Sequence, residues 1–252
     1  MISTVIWSLA IITVLSLAVI LGKNFYILKK IKEPSVVLDI QCDPETYIKM
    51  NKNILDKKII KNRMEYFFVT LNLSVGYFSN GDIKKAILTA ENIPLDKLEK
   101  NSTFKAAYYY NLCVFYAVDG DRAMVEHYNA YLQECYKNIT AASEDKNNKN
   151  IHIGNKDSMV DRLKKLIKEI AVHLDRLDGE YQKVIDYYEK KFQQENVPCS
   201  KCFSKYYSAL CYEKLGDIPA MKEALIYVSE HGNKLFIAAE GKEILNKYQN
   251  IS

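Results

Sequence analysis

The chain is short of the residues that make turns. Its 252 residues include nine glycines, five prolines and a single tryptophan. A protein built from many strands and turns usually needs more glycine and proline than this, whereas the hydrophobic fraction, 48%, is ample for a sizeable core. The composition therefore disfavours an all-β protein and predicts a mostly helical one with one large or elongated folded domain.

The sequence also lacks the short motifs that mark common active sites. It contains no GxSxG, GxxxxGK[ST], GxGxxG or HExxH pattern, and none of its four histidines lies in a recognisable metal or nucleophile motif. We therefore expect no enzyme: no catalytic residue, no cofactor, no metal site and no small-molecule substrate. Cys199 and Cys202 have the spacing of a zinc or redox pair, but no second pair accompanies them, which favours a turn that leads into a helix.

Charge is absent from the twenty residues between Ile2 and Leu21. About twenty apolar residues cross a bilayer core as an α-helix, so segment 1–22 is predicted to be a transmembrane helix that contacts lipid through residues 2–21. A cleaved signal peptide is the alternative. Such peptides usually begin with a basic region, and no basic side chain precedes this span.

Basic side chains appear only after the span, in a juxtamembrane segment and connector at 23–43, where Pro34 is expected to end the emerging helix. They are Lys23, Lys29, Lys30 and Lys32. Because lysine and arginine near a span stay on the cytoplasmic side, we predict a single-pass membrane protein whose C-terminal domain is cytoplasmic. Six cysteines without a regular framework fit that reducing compartment.

The net charge has a local origin. The chain has 35 basic and 31 acidic residues, and the four juxtamembrane lysines account for the whole excess. The rest of the chain is neutral overall and has no electrostatic footprint for nucleic acid. We therefore expect no nucleic-acid partner.

Four glycine–acid pairs recur along the rest of the chain, each between two amphipathic stretches. They are Gly81-Asp82, Gly120-Asp121, Gly179-Glu180 and Gly216-Asp217. Glycine readily adopts the positive φ that ends a helix, and an acidic residue favours the start of the next, so each pair predicts a helical hairpin. Such a hairpin cannot bury its own apolar stripe and must stack on its neighbours.

These hairpins resemble the tetratricopeptide repeat, a helix-turn-helix unit of about 34 residues. The matching positions are Leu73, Tyr77, Gly81 and Ala86 in the first copy, Leu112, Tyr116 and Gly120 in the second, and Tyr212 and Gly216 in the fourth. The third copy retains little beyond Gly179 and a face formed by Val184, Ile185 and Tyr188. The resemblance implies an all-α fold in which one N-terminal transmembrane helix is followed by an α-solenoid of TPR-like hairpins.

The repeat domain is predicted to occupy residues 44–252. Its first helix should run from about Pro44 to Lys57, capped by Asp43. The predicted parts that follow are hairpins around 64–93, 102–137, 157–195 and 201–230, an exposed polar insertion at 138–157, and a C-terminal capping helix at about 233–249.

In the repeat family, the first helices of successive hairpins line a groove that binds peptides or partner domains. The corresponding positions are Leu71, Val75, Phe78, Tyr110, Val114, Tyr206 and Leu210. The resemblance implies a membrane-anchored scaffold or adaptor that binds protein or peptide partners. Two alternatives are a peptide-sensing regulator and, if the topology is reversed, an extracytoplasmic assembly factor. The same side chains could instead only pack against one another or against the terminal helix.

Overall fold

The computed structural model describes residues 33–56, 60, 63–97, 102–144 and 153–249, and all regular structure in these ranges is helical. The helices are α1 (33–39), α2 (Pro44–Asp56), α3 (Arg63–Ser79), α4 (Ile83–Glu91), α5 (Ser102–Asp119), α6 (Arg122–Glu144), α7 (Ile153–Leu177), α8 (Tyr181–Gln194), α9 (Pro198–Leu215), α10 (Ile218–His231) and α11 (Phe236–Gln249), with a 3₁₀ turn at Leu95–Lys97. The predicted all-α class is confirmed for this part of the chain.

No helix within those ranges combines the length and the apolar character that a bilayer crossing requires. The predicted transmembrane span at 2–21 lies outside the described residues.

The four predicted glycine turns have the expected backbone conformation. Gly81, Gly120, Gly179 and Gly216 all have φ between 76° and 87°. At the first turn, the N–H of Asp82 donates to the carbonyl of Tyr77 and the N–H of Gly81 donates to that of Phe78, both at 2.9 Å. This pair of bonds satisfies carbonyls at the end of α3 that otherwise have no helical partner.

The acidic residue after the glycine caps the following helix in three of the four turns. Side-chain oxygens of Asp82, Asp121 and Asp217 accept the backbone N–H three residues later, at 3.1 to 3.2 Å. Glu180 makes no such bond. Ahead of these turns, Asp43 accepts the N–H of Thr46 at 3.0 Å, and α2 begins at Pro44 as predicted.

Helices pack mainly against their neighbours in sequence. In addition, α3 contacts α5, α5 contacts α7, and α9 contacts α11. The small residues predicted to allow close approach, Ser74, Cys113 and Ala209, are all buried. Of the three signature tyrosines, Tyr77 is buried, while Tyr116 and Tyr212 are half-buried.

Two predicted boundaries are wrong. The connector predicted up to residue 43 is helical over 33–39, because Val37 and Leu38 pack against the core and favour a helical turn there. The insertion predicted at 138–157 is also shorter, since α6 continues to Glu144 and α7 begins at Ile153. Buried Ile139 extends the apolar face of α6 into the predicted insertion.

The two ends of the described chain meet. The turn at 40–43 lies against the turn at 232–235: the backbone N–H of Lys234 donates to the carbonyl of Cys42 at 3.2 Å, and the side-chain amide of Asn233 donates to the carbonyl of Gln41 at 2.8 Å. The ammonium of Lys234 also pairs with Asp43 at 3.1 Å. These contacts join the segment before α2 to the segment before α11.

Candidate functional site

A cavity of about 310 Å³ lies between α1, α3, α5, α7, α8 and α9. Its lining residues run from Leu38 to Tyr207, so helices distant in sequence form it together. One wall is apolar, and the other carries charged and hydrogen-bonding groups.

Phenylalanine rings from three helices form the apolar wall. Phe78 in α3 stacks on Phe115 in α5 with ring centroids 4.9 Å apart, and on Phe203 in α9 at 5.7 Å. Val75 and Val114 line the same side. Stacked rings of this kind are rigid and fix the shape of the wall.

The polar wall comes from α5, α7, α8 and α9. The Lys191 ammonium lies 2.5 Å from Oε1 of Glu169, and Tyr110 lines the cavity with them. Burial, together with the neighbouring Glu169, raises the pKa of Tyr110 well above its ordinary value, so its hydroxyl stays protonated. Tyr207 lines the same wall.

His173 is the buried titratable group of this wall. Its Nε2 lies 3.3 Å from the hydroxyl of Tyr188, and its Nδ1 is buried with no hydrogen-bond partner in the described part of the chain. Burial, helped by the positive charges of Arg176 and Lys191, lowers the pKa of His173 to about 3. The imidazole is therefore neutral at pH 7 and carries a proton on only one of its ring nitrogens.

Four of the seven predicted groove residues line this cavity: Val75, Phe78, Tyr110 and Val114. The other three do not. Leu71 is buried in the cluster between α3, α4 and α5, Tyr206 is buried against Phe236 of α11, and Leu210 is half-buried beside the α9 core.

Sequence reasoning missed the polar wall and the contribution of α1. Glu169 and His173 lie four residues apart in α7, and His173 lies three residues after the apolar Ile170. The sequence therefore indicates two polar residues on one face of α7, beside its apolar positions. Lys191 in α8 and Leu38 and Asp39 in α1 gave no comparable signal. Their position depends on how distant helices pack.

Cys199 and Cys202 lie in the first turns of α9 and are buried. In the described ranges, no group of three or more histidine, cysteine, aspartate or glutamate side chains is arranged to hold a metal ion. Both lie inside the helix, which begins at Pro198, so the predicted turn ends before Cys199.

Comparison with known proteins adds no identification: the chain matches no protein-family model, and no curated protein or solved structure shows significant similarity to it.

Proposed function

We propose that this chain is a single-pass membrane protein that binds a segment of a partner protein or peptide in the central cavity of a TPR-like helical domain, as a scaffold or adaptor. The observation that carries the proposal is the convergence of Val75, Phe78, Tyr110 and Val114 on one cavity.

The repeated turns support the TPR-like solenoid. Each glycine with positive φ is followed by an N–H that donates to the carbonyl five residues earlier, from Asp82 to Tyr77, Asp121 to Tyr116 and Asp217 to Tyr212. The signature tyrosine thus occupies the same place in three turns. Recurrence of the same local geometry along the chain is typical of a repeat architecture.

The size and chemistry of the cavity suggest what kind of partner would fit. At about 310 Å³ it lies at the lower end of ligand pockets, which suits one or two large side chains better than a folded domain. An apolar side chain would contact Phe78 and Phe203. The occupant is therefore a short segment with an apolar anchor.

Membrane attachment rests on the sequence. The uncharged run at 2–21 and the four lysines that follow it support a single-pass anchor with the helical domain in the cytoplasm. Helix α1 begins the described chain soon after those lysines. A cavity partner would consequently be held near the bilayer surface.

A peptide-sensing regulator is the second candidate, favoured by one contact. Leu38 and Asp39 of α1 line the cavity, so an occupant would touch the segment that leads toward the predicted anchor. Binding could then shift α1 relative to α9, whereas a simple scaffold needs no such shift.

A cavity-filling substitution tests binding directly. Val114→Phe adds a ring to the cavity wall and should weaken capture of a specific partner at least tenfold, equivalent to about 1.4 kcal/mol. The matched control is Leu88→Phe, because Leu88 is 61% exposed on α4 and away from the cavity. Melting curves of both variants confirm that they are folded. A folded Val114→Phe protein that retains every partner would refute cavity binding.

A further inference from the structure

The aspartate that ends α1 lines the cavity without a counter-ion. Asp39 is half-buried, and within the described ranges its carboxylate forms neither a salt bridge nor a hydrogen bond. The ammonium of Lys191, the lysine of the cavity lining, pairs with Glu169 instead. Burial raises the pKa of Asp39, as expected for a carboxyl group that no cation stabilises.

The cavity lining as a whole carries more acid than base. It contains two carboxylates, Asp39 and Glu169, and one ammonium, Lys191. His173 does not offset the difference, because its pKa of about 3 keeps it neutral at pH 7. Since Lys191 and Glu169 neutralise each other, the uncompensated negative charge belongs to Asp39. This charge repels an anionic ligand and attracts a cationic one.

Aromatic rings supply much of the remaining surface of the cavity. They belong to Phe78, Tyr110, Phe115, Phe203 and Tyr207. Such rings bury alkyl groups, and their faces also attract cations. The side chains of lysine and arginine combine both properties, because a long aliphatic stem carries a charged head. A volume of about 310 Å³ has room for one such group.

A neutral occupant fits the carboxylate of Asp39 less well than a cation does. Any ligand that displaces water from this carboxylate removes part of its solvation. A neutral alkyl group would leave the charge dry and unpaired, which is costly, whereas an ammonium or guanidinium group would replace the lost water with an ion pair.

We infer that the cavity binds an organic cation, whose alkyl stem lies against the phenylalanine rings and whose ammonium or guanidinium group pairs with Asp39. Two sources have this chemistry. One is a lysine or arginine of a partner segment, in which case the inference rests on the function proposed above. The other is a free alkylamine.

The first test compares two probes on the full chain in detergent. n-Butylammonium has the structure of a lysine side chain, and 1-butanol is a neutral molecule of nearly the same shape. Saturation-transfer NMR should give butylammonium a Kd at least about tenfold lower than that of 1-butanol, and Val114→Phe should weaken the binding of both. Equal affinities, or no detectable binding of butylammonium, would overturn the inference.

A charge-removing variant tests the role of Asp39. Asp39→Asn keeps the shape of the side chain, and melting curves check that the variant folds. Its Kd for butylammonium should rise at least about tenfold, toward that of 1-butanol, while its Kd for 1-butanol stays the same. The matched control is Asp161→Asn, at an exposed position of α7 outside the cavity lining, which should change neither value. A folded Asp39→Asn protein that binds butylammonium like the wild type would show that the assignment is wrong.

Partner capture distinguishes the two sources of the cation. If a partner segment supplies it, Asp39→Asn should weaken capture about as much as Val114→Phe does. If a free amine is the ligand, Asp39→Asn should lose the preference for butylammonium and retain its partners.

The same measurements separate failure of this inference from failure of the proposed function. Equal probe affinities, together with capture that Val114→Phe still abolishes, would refute the cation site and leave partner binding in place. A clear preference for butylammonium, together with capture that Val114→Phe leaves unchanged, would support the cation site and refute partner binding in the cavity.

Discussion

The side chain of Phe236, at the start of α11, lies against the backbone of Gly81 in the turn between α3 and α4. A Cβ added to Gly81 would approach the Cβ of Phe236 to 2.9 Å, closer than carbon atoms normally come. Two features therefore require a glycine at position 81: its φ is 87°, and the last helix approaches its backbone closely. The contact joins helices from opposite ends of the repeat domain.

The energetic cost of crowding at this contact can be measured by comparing alanine substitutions at two glycines. Gly81→Ala and Gly120→Ala impose the same left-handed strain, about 1–2 kcal/mol, since their φ values are 87° and 86°. Nothing lies within 4 Å of a Cβ at Gly120. We expect Gly81→Ala to lower the free energy of unfolding by roughly 1–3 kcal/mol more than Gly120→Ala, because overpacking adds to the strain. If chemical denaturation shows equal losses of unfolding free energy in the two variants, then α11 moves to accommodate the added methyl group without an energetic cost.

The signature tyrosine of the first hairpin offers a second prediction. Tyr77 is 7% exposed, and the ammonium of Lys85 lies 4.5 Å from its ring centre. Tyr77→Ala should lower the free energy of unfolding by about 3 kcal/mol or more, as for other large buried aromatics. Melting like that of the wild type would contradict the inter-helix role of this ring.

Tyr116, the equivalent residue of the second hairpin, should behave differently. It is half-buried, and its hydroxyl donates to Glu91 at 2.7 Å, where Tyr128 also donates at 2.9 Å. Tyr116→Phe should cost no more than about 1 kcal/mol, because the second donor remains. A loss of several kcal/mol in denaturant titrations would show that the two hydroxyls are not interchangeable.

Local features of the fold could be predicted from the sequence because they depend on a few adjacent residues. The positive φ of Gly81 and the capping bond of Asp82 follow from residue chemistry at a helix end, and the structure contains both. The end of α6 was harder to predict. Most residues after 138 are polar. One apolar residue, Ile139, continues the buried face, and a single residue is too little to predict that the helix continues.

Contacts between distant helices could not be predicted in the same way. Nothing adjacent in sequence to Phe236 indicates Gly81 as its neighbour. The cavity shows the same division: Val75 and Val114 were found from repeat positions, whereas Lys191 enters the site through tertiary packing. The periodicity of a sequence indicates which face of a single helix is apolar. It does not indicate which distant helix that face contacts.

The predicted topology has its own test. A reporter fused after Ser252 should be active in the cytoplasm, because the lysines after residue 22 favour that side of the membrane. The control is a second fusion in which Lys23, Lys29, Lys30 and Lys32 are changed to Gln, which should weaken the preference. Activity of the first fusion only on the external side would reverse the orientation and favour the assembly-factor alternative.

Acid sensitivity should arise in part from His173. Its pKa is about 3 in the folded protein and about 6.5 in an unfolded chain, so below pH 6.5 the unfolded state binds the extra proton. The free energy of unfolding therefore falls as pH is lowered from 6.5 toward 3. Between pH 7 and pH 5, where most carboxyl groups stay ionised, this single group accounts for a loss of about 2 kcal/mol.

The His173→Gln variant separates this effect from other titrations. It removes the imidazole while retaining a polar side chain. Between pH 7 and pH 5, its free energy of unfolding should therefore fall by about 2 kcal/mol less than that of the wild type, whatever its value at pH 7. His127→Gln, at an exposed position on α6, serves as the control and should follow the wild-type curve. Urea titrations at pH 7, 6 and 5 give the three curves. If His173→Gln and wild type lose stability in parallel, then His173 gains its proton in the folded state as readily as in the unfolded one, and the polar wall of the cavity must be open to water.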